Sequence, residues 1–114
     1  MDAKRARKLE KVLELVNVGR VAMGYKPIKK MPRGMPADPK SCPLKRALKV
    51  YSVNADSVAI TDELLPTAST VARAKALGEA WHNDVWNDII ALPSPLIRFV
   101  NDFDNHEYPE LELK

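Results

Sequence analysis

Four prolines fall close together in this chain, at Pro27, Pro32, Pro36 and Pro39. Each fixes φ and removes a backbone donor, so neither a regular helix nor an interior strand can run through the stretch. The chain is therefore divided into a unit before residue 25, a unit after residue 40, and an extended, polyproline-like connection over 25–40. Lys26, Lys29, Lys30, Arg33 and Lys40 face outward along that connection, and Ile28, Met31 and Met35 are expected to pin it to the body. A loop of this length in a small domain is often functional or mobile.

With 114 residues there is room for one core and little more. Before the proline loop, residues 2–23 read as a helix. Asp2 is placed to cap it, and Ala6, Leu9, Val12, Leu13, Val16 and Met23 recur at helical spacing. Leu15, Val18 and Val21 lie off this stripe, which predicts deeper burial for the second half. Gly24 ends the helix. After the loop, Ser41-Cys42-Pro43 starts a short helix to about Leu48, with Ser41 as its cap and Leu44, Ala47 and Leu48 inward. Residues 49–61 change period: Val50, Tyr51, Val53, Val58 and Ile60 favour strands about a turn at Asn54–Ser57, so a small β-hairpin is expected. Pro66-Thr67 introduces a long helix from about 67 to 91 with the stripe Val71, Ala74, Leu77, Trp81, Val85, Ile89 and Leu92. It is expected to form the core pair with the first helix. Ser94 then caps a last helix whose first position is Pro95 and whose stripe is Leu96, Phe99, Val100 and Phe103. Residues 106–114 read as an irregular acidic tail. The expected fold is mainly α: a single domain over 1–114 of about four helices, with a hairpin at 49–61 and the basic loop at 25–40.

Hydrophobic residues make up 46% and charged residues 29% of the chain, which excludes wholesale disorder. No apolar run approaches the roughly 20 residues that span a bilayer. The opening Met1–Lys8 is charged rather than apolar, so export is not expected. Cys42 is the one cysteine, which precludes an internal disulfide and fits a cytoplasmic, reducing setting. A thiol at a helix start can be activated, but a free cysteine is more often a small buried hydrophobe.

The net charge of +3 conceals an asymmetry. Residues 1–50 hold fourteen Lys and Arg against four Asp and Glu, for +10, and residues 51–114 carry −7. Lys4, Arg5, Arg7, Lys8 and Lys11 lie on the first helix, with four of them crowding the positive end of its dipole. Lys29, Lys30 and Arg33 follow on the loop, and Lys45 and Arg46 on the short helix. Such clusters suit phosphate backbones, which reward cations by counterion release. The two halves neutralising each other is the competing reading. With only Tyr25 and Tyr51 nearby, stacking of single-stranded bases is disfavoured. A helix-turn-helix over 43–64 fails, because no glycine occupies its turn and Asp56, Asp62 and Glu63 would face phosphates.

Trp86 and Ile90, four apart beside the long helix's stripe, are residue types of protein interfaces, unless the last helix covers them. The basic face of helix 1 would also suit a membrane surface, but Glu10, Glu14 and the lack of bulky aromatics weigh against it. Catalysis finds little footing. His82 and Asp88 are six apart, which misses one helix face, and His106 has no partner pattern. One cysteine and two histidines make no metal set, and Gly34 alone makes no phosphate loop. Asp102, Asp104, Glu107 and Glu110 read as solvated acids rather than an acid–base pair.

Ser41-Cys42-Pro43-Leu44-Lys45-Arg46-Ala47-Leu48, together with Phe99-Val100-Asn101-Asp102-Phe103-Asp104 and Tyr108-Pro109-Glu110-Leu111, resembles signatures of small uncharacterised proteins of actinobacteria and their phages. The resemblance covers about a fifth of the chain and implies a phage or accessory origin, with no activity and no functional residue attached. The sequence thus points to a small, non-enzymatic accessory or regulatory protein without cofactor or small-molecule substrate, whose basic half contacts nucleic-acid backbone. The alternative is a protein-binding modulator, such as a phage factor acting on a host protein, using the Trp86 edge or the basic arm.

Overall fold

The computed structural model describes residues 3–113, so the capping role of Asp2 lies outside the described residues. Four helices and a small antiparallel sheet alternate along the chain. They are α1 (Ala3–Ala22), α2 (Pro43–Leu48), β1 (Ser52–Val53), β2 (Ser57–Ala59), α3 (Ala68–Trp81), β3 (Val85–Trp86), β4 (Ile89–Ala91) and α4 (Ser94–Asp104), followed by a 3-10 turn at Pro109–Leu111. The strands are ordered β1-β2-β4-β3, all antiparallel. One core cluster joins every element, from Val12 and Val16 of α1 through Leu44 and Leu48, Val58 and Ile90, Leu77 and Trp81, to Leu96, Phe99 and Phe103 of α4.

α1 follows the expected stripe, with Val12 and Val16 buried, and its second half adds Gly19 and Arg20. Ala6 of that stripe is exposed, as are Val18 and Val21 off it. The helix closes at Gly24, whose φ is 91°. α1 and α3 do form a core pair: the Trp81 indole lies against Gly19, and its Nε1 donates to the Leu15 carbonyl at 2.9 Å.

The helix expected over 67–91 is half as long. Thr67 caps it, accepting from the Thr70 amide, and it ends at Trp81 because His82 turns left-handed at φ 56°. Asn83 then donates from its amide to the Gly78 carbonyl and from its side chain to Ala91. Residues 85–91 form a hairpin instead, with Asn87 at φ 59° in its turn. The hairpin keeps Val85 and Leu92 of the expected stripe against the core but replaces Ile89 by Ile90: Val85 and Ile90 pair and face inward, and Ile89 is turned outward by the alternation of the strand. β4 then extends the 49–61 hairpin by pairing with β2. Asp88, buried at the turn, accepts the Ile60 amide on its carbonyl and the Thr61 amide on its carboxylate.

The proline loop is extended as expected, and it is tied down along its length. Asn17 grips Ile28 twice, its side chain donating to the Ile28 carbonyl and accepting from the Ile28 amide at 2.9 and 2.8 Å. Met31 is buried and Ile28 packs beside the core, whereas Met35 stays largely exposed. Gly34 makes the deeper anchor. Its amide donates to Leu111, and its carbonyl accepts from Leu113. Ala37 donates to the Asp104 carboxylate at 2.8 Å. The tail is accordingly not irregular over the described residues 106–113: Tyr108 and Leu111 are buried, and Glu112 forms a parallel bridge to Gly34. Tyr108 tilts against Phe99, with ring centroids 5.2 Å apart.

Two helix caps differ from expectation. Cys42, not Ser41, is the cap residue of α2, because the Ser41 carbonyl is engaged with the Met35 amide. Pro93, not Ser94, precedes α4, and Pro95 takes its second position.

Candidate nucleic-acid interface

The ten cations singled out from sequence do not form one patch. On α1, Lys4, Arg7, Lys8 and Lys11 stand at i, i+3, i+4 and i+7, so they share one helix face, and all four are exposed. Arg5 lies off that face. Its guanidinium sits 5.7 Å from the Tyr108 ring centroid, so it joins α1 to the folded tail. Lys8 and Lys11 share the rim of a groove of about 230 Å³ with Arg98 and Asp102, over a floor of Val12, Phe99 and Tyr108. Arg98 was not visible as part of this set, because it comes from the acidic half of the sequence.

Lys29, Lys30 and Arg33 lie elsewhere around α1. They edge a second groove, of about 390 Å³, with Glu10 and Glu110, over Leu9, Leu13 and Met31. Lys45 and Arg46 belong to α2 and line neither groove. The structure thus sorts the predicted cations into a helix face, a groove edge and a short-helix pair.

The competing reading, neutralisation of one half by the other, is not made through short ion pairs among the described residues. Among the described residues, the ion pair within 4.0 Å is His106–Glu112 at 3.0 Å, inside the acidic half. None of Lys4, Arg7, Lys8, Lys11, Lys29, Lys30, Arg33, Lys45 or Arg46 has a described carboxylate that close. Glu10 and Glu14 are exposed neighbours on α1, three residues beyond Arg7 and Lys11.

The pair expected to meet a protein partner is separated. In the β3–β4 hairpin Trp86 pairs with Ile89 and Val85 with Ile90, so successive side chains alternate faces. Trp86 is 76% exposed and Ile90 is fully buried; the exposed companion of Trp86 is Ile89, at 37%. At 76% exposure Trp86 is not covered by α4.

Cys42 is buried at the start of α2, and that burial pushes its thiol above the ordinary value of 9.0, against the pull of the Leu44 and Lys45 amides. Burial also raises Tyr108 above 10.0, with the nearby Asp102 carboxylate adding to it. Both groups hold their protons more tightly when folded. Their contribution to stability is complete below about pH 9 and is lost as pH climbs through the raised values. The melting temperature should therefore fall as the pH is raised above about 9. At pH 8 a disulfide-exchange reagent should modify Cys42 more than about tenfold faster in urea than in the native chain, since access and thiolate fraction both rise on unfolding. Equal rates would show an open, reactive thiol.

His82, Asp84 and Asp88 do not share a helix: His82 ends α3 and Asp88 sits in the hairpin turn. Among the described residues no three His, Cys, Asp or Glu side chains gather as metal ligands, and no helix is long and apolar enough to cross a membrane. Comparison with protein-family models, with curated proteins and with solved structures finds no match for this chain.

Proposed function

We propose that this chain is a small, non-enzymatic accessory protein of the cytoplasm that binds nucleic-acid backbone through the exposed face of α1. The observation that supports it is the i, i+3, i+4, i+7 array of Lys4, Arg7, Lys8 and Lys11, with no described carboxylate within 4.0 Å of any of them. Four like charges on one face, three of them near the positive end of the helix dipole, weaken an isolated helix. Phosphates in line with the face would relieve that repulsion. A straight cationic helix face fits a duplex backbone without base readout, and the shortage of free aromatic surface beside it agrees with a duplex over a single strand.

The test is duplex DNA binding across a salt series, for wild type and for a Lys4/Arg7/Lys8/Lys11 to Ala variant. Arg5 is left in place because it supports Tyr108. Wild type should bind at low salt, and the variant should lose affinity and flatten the log–log salt slope by about 3 to 4 units, near 0.9 per phosphate contact. An unchanged slope, or no binding at low salt, would dispose of the reading.

A second reading rests on a separate observation. Trp86 on the edge strand β3 and Ile89, its partner on β4, form an exposed apolar pair, and Leu64 and Leu65 are almost wholly exposed in the connection before α3. Exposed tryptophan is characteristic of protein interfaces. Replacing Trp86 and Ile89 by Ala should leave duplex binding intact and abolish capture of a protein partner.

A further inference from the structure

A second group of cations converges on Tyr25, at the other end of α1, and none of it was singled out for that meeting by the sequence. Arg20 comes from the last turns of α1, Lys49 from the C-terminal cap of α2, and Arg73 from α3. Their charged groups lie 5.4, 5.1 and 5.8 Å from the Tyr25 ring centroid. Arg73 also donates from Nη2 to the Tyr25 hydroxyl at 3.1 Å. No described carboxylate comes within 4.0 Å of any of the three.

Two features of this group are costly to the fold on its own. Arg20 is only 8% exposed, so its guanidinium has given up most of its water. It is compensated by two carbonyls and the Tyr25 ring, with no anion, donating from Nε to Lys26 at 2.8 Å and from Nη1 to Ala47. A buried cation without an anionic partner, with two further cations around the same ring, is an unfavourable arrangement. Lys49, moreover, holds φ 56° and ψ 45°, a left-handed conformation that glycine adopts without penalty. A lysine stands where the backbone favours glycine, and although the residue is exposed its ammonium lies over the Tyr25 ring.

We propose that Arg20, Tyr25, Lys49 and Arg73 form a binding site for a phosphate group. Three positive charges suit a dianion better than a carboxylate. The donors are present as well. Tyr25 accepts from Arg73 and so retains its own O–H to donate, Lys49 supplies an ammonium, and Arg73 has further N–H groups. Arg20, its Nε and Nη1 committed to carbonyls, contributes field. The site is independent of the duplex reading: Lys11, the nearest cation of that face, lies nine residues before Arg20, about 14 Å along the helix.

The test titrates inorganic phosphate into the full chain at constant ionic strength, followed by amide and side-chain NMR shifts, for wild type, Lys49→Gly, Arg73→Gln and the Lys4/Arg7/Lys8/Lys11 to Ala variant. Wild type should show saturable shifts confined to residues around Tyr25. Lys49→Gly should melt higher than wild type, because it relieves the left-handed strain, and still bind phosphate at least about tenfold more weakly. Arg73→Gln should weaken binding likewise, and the α1 variant should bind as wild type does. A parallel titration with a short duplex lacking terminal phosphates separates the sources. Loss of affinity in Lys49→Gly for both ligands assigns the site to phosphodiesters, and loss for phosphate alone assigns it to a free phosphate or phosphomonoester. No saturable shift in wild type, or equal affinity in Lys49→Gly and wild type, would overturn the proposal.

Discussion

Gly34→Ala should cost about 3 kcal/mol, equivalent to roughly 15 °C in Tm for a chain of this size. A Cβ built on Gly34 would stand 2.1 Å from the Ser41 carbonyl oxygen and 2.7 Å from the Pro43 nitrogen. These are backbone atoms, and the proline that holds one of them opens α2, so neither can swing aside as a flexible side chain would. The same residue exchanges hydrogen bonds with Leu111 and Leu113, which hold the tail against the loop. Displacing Gly34 would loosen three segments together: the loop, the start of α2 and the tail with its buried Tyr108. Thermal denaturation measures the loss, and hydrogen exchange should show it first at the Gly34 and Leu113 amides. Gly24→Ala is the contrast. Nothing lies within 4 Å of its added methyl, so only the positive φ is penalised, at about 1 kcal/mol. Equal losses at the two glycines would refute the close-approach account.

Trp81→Ala should cost about 4 kcal/mol in urea denaturation, a large part of the 5–15 kcal/mol that ordinarily separates folded from unfolded domains. The indole is 5% exposed, fills the space over Gly19 between α1 and α3, and spends its N–H on Leu15. Its removal leaves a cavity between the two longest helices, which neither can close without moving the other. Trp86→Ala, by contrast, should change stability by no more than about 0.5 kcal/mol, because its ring is in solvent. Intrinsic fluorescence checks the assignment directly. Emission should shift to the blue when Trp86 is removed and to the red when Trp81 is removed. A folded, wild-type-stable Trp81→Ala would mean that α1 and α3 are not locked by this ring.

Much of the fold was legible in the residues. The α1 stripe, the breaks at Gly24 and Pro93, the α4 stripe and the 49–61 hairpin all depend on near neighbours in the chain, and local periodicity reports those well. The second hairpin was not legible. Val85, Ile89 and Leu92 continue the Leu77 and Trp81 spacing, and a helical stripe and the inward face of a short hairpin share Val85 and Leu92 and differ only by the exchange of Ile89 for Ile90. What separates them is the left-handed turn at His82 and the β4–β2 pairing, and the latter joins residues about thirty apart. The error carried through to the candidate interface, since Trp86 and Ile90 share a side only on a helix. The tail was misjudged because its carboxylates hid Tyr108 and Leu111, which find their burial against α4 and the loop.

The sequence by itself determined the helical class, the extended proline connection, the position of most core residues and the concentration of positive charge in the first half. All of these follow from spacing, backbone restriction and composition, which act within a few residues. Only the tertiary structure decided how that charge is distributed. It divided one basic half into an exposed α1 face, a groove edge and a cluster around Tyr25, and it drew Arg73 and Arg98 out of the acidic half to join two of them. Charge acts through space, and the distances that matter to it are set by which helices pack together, not by position along the chain.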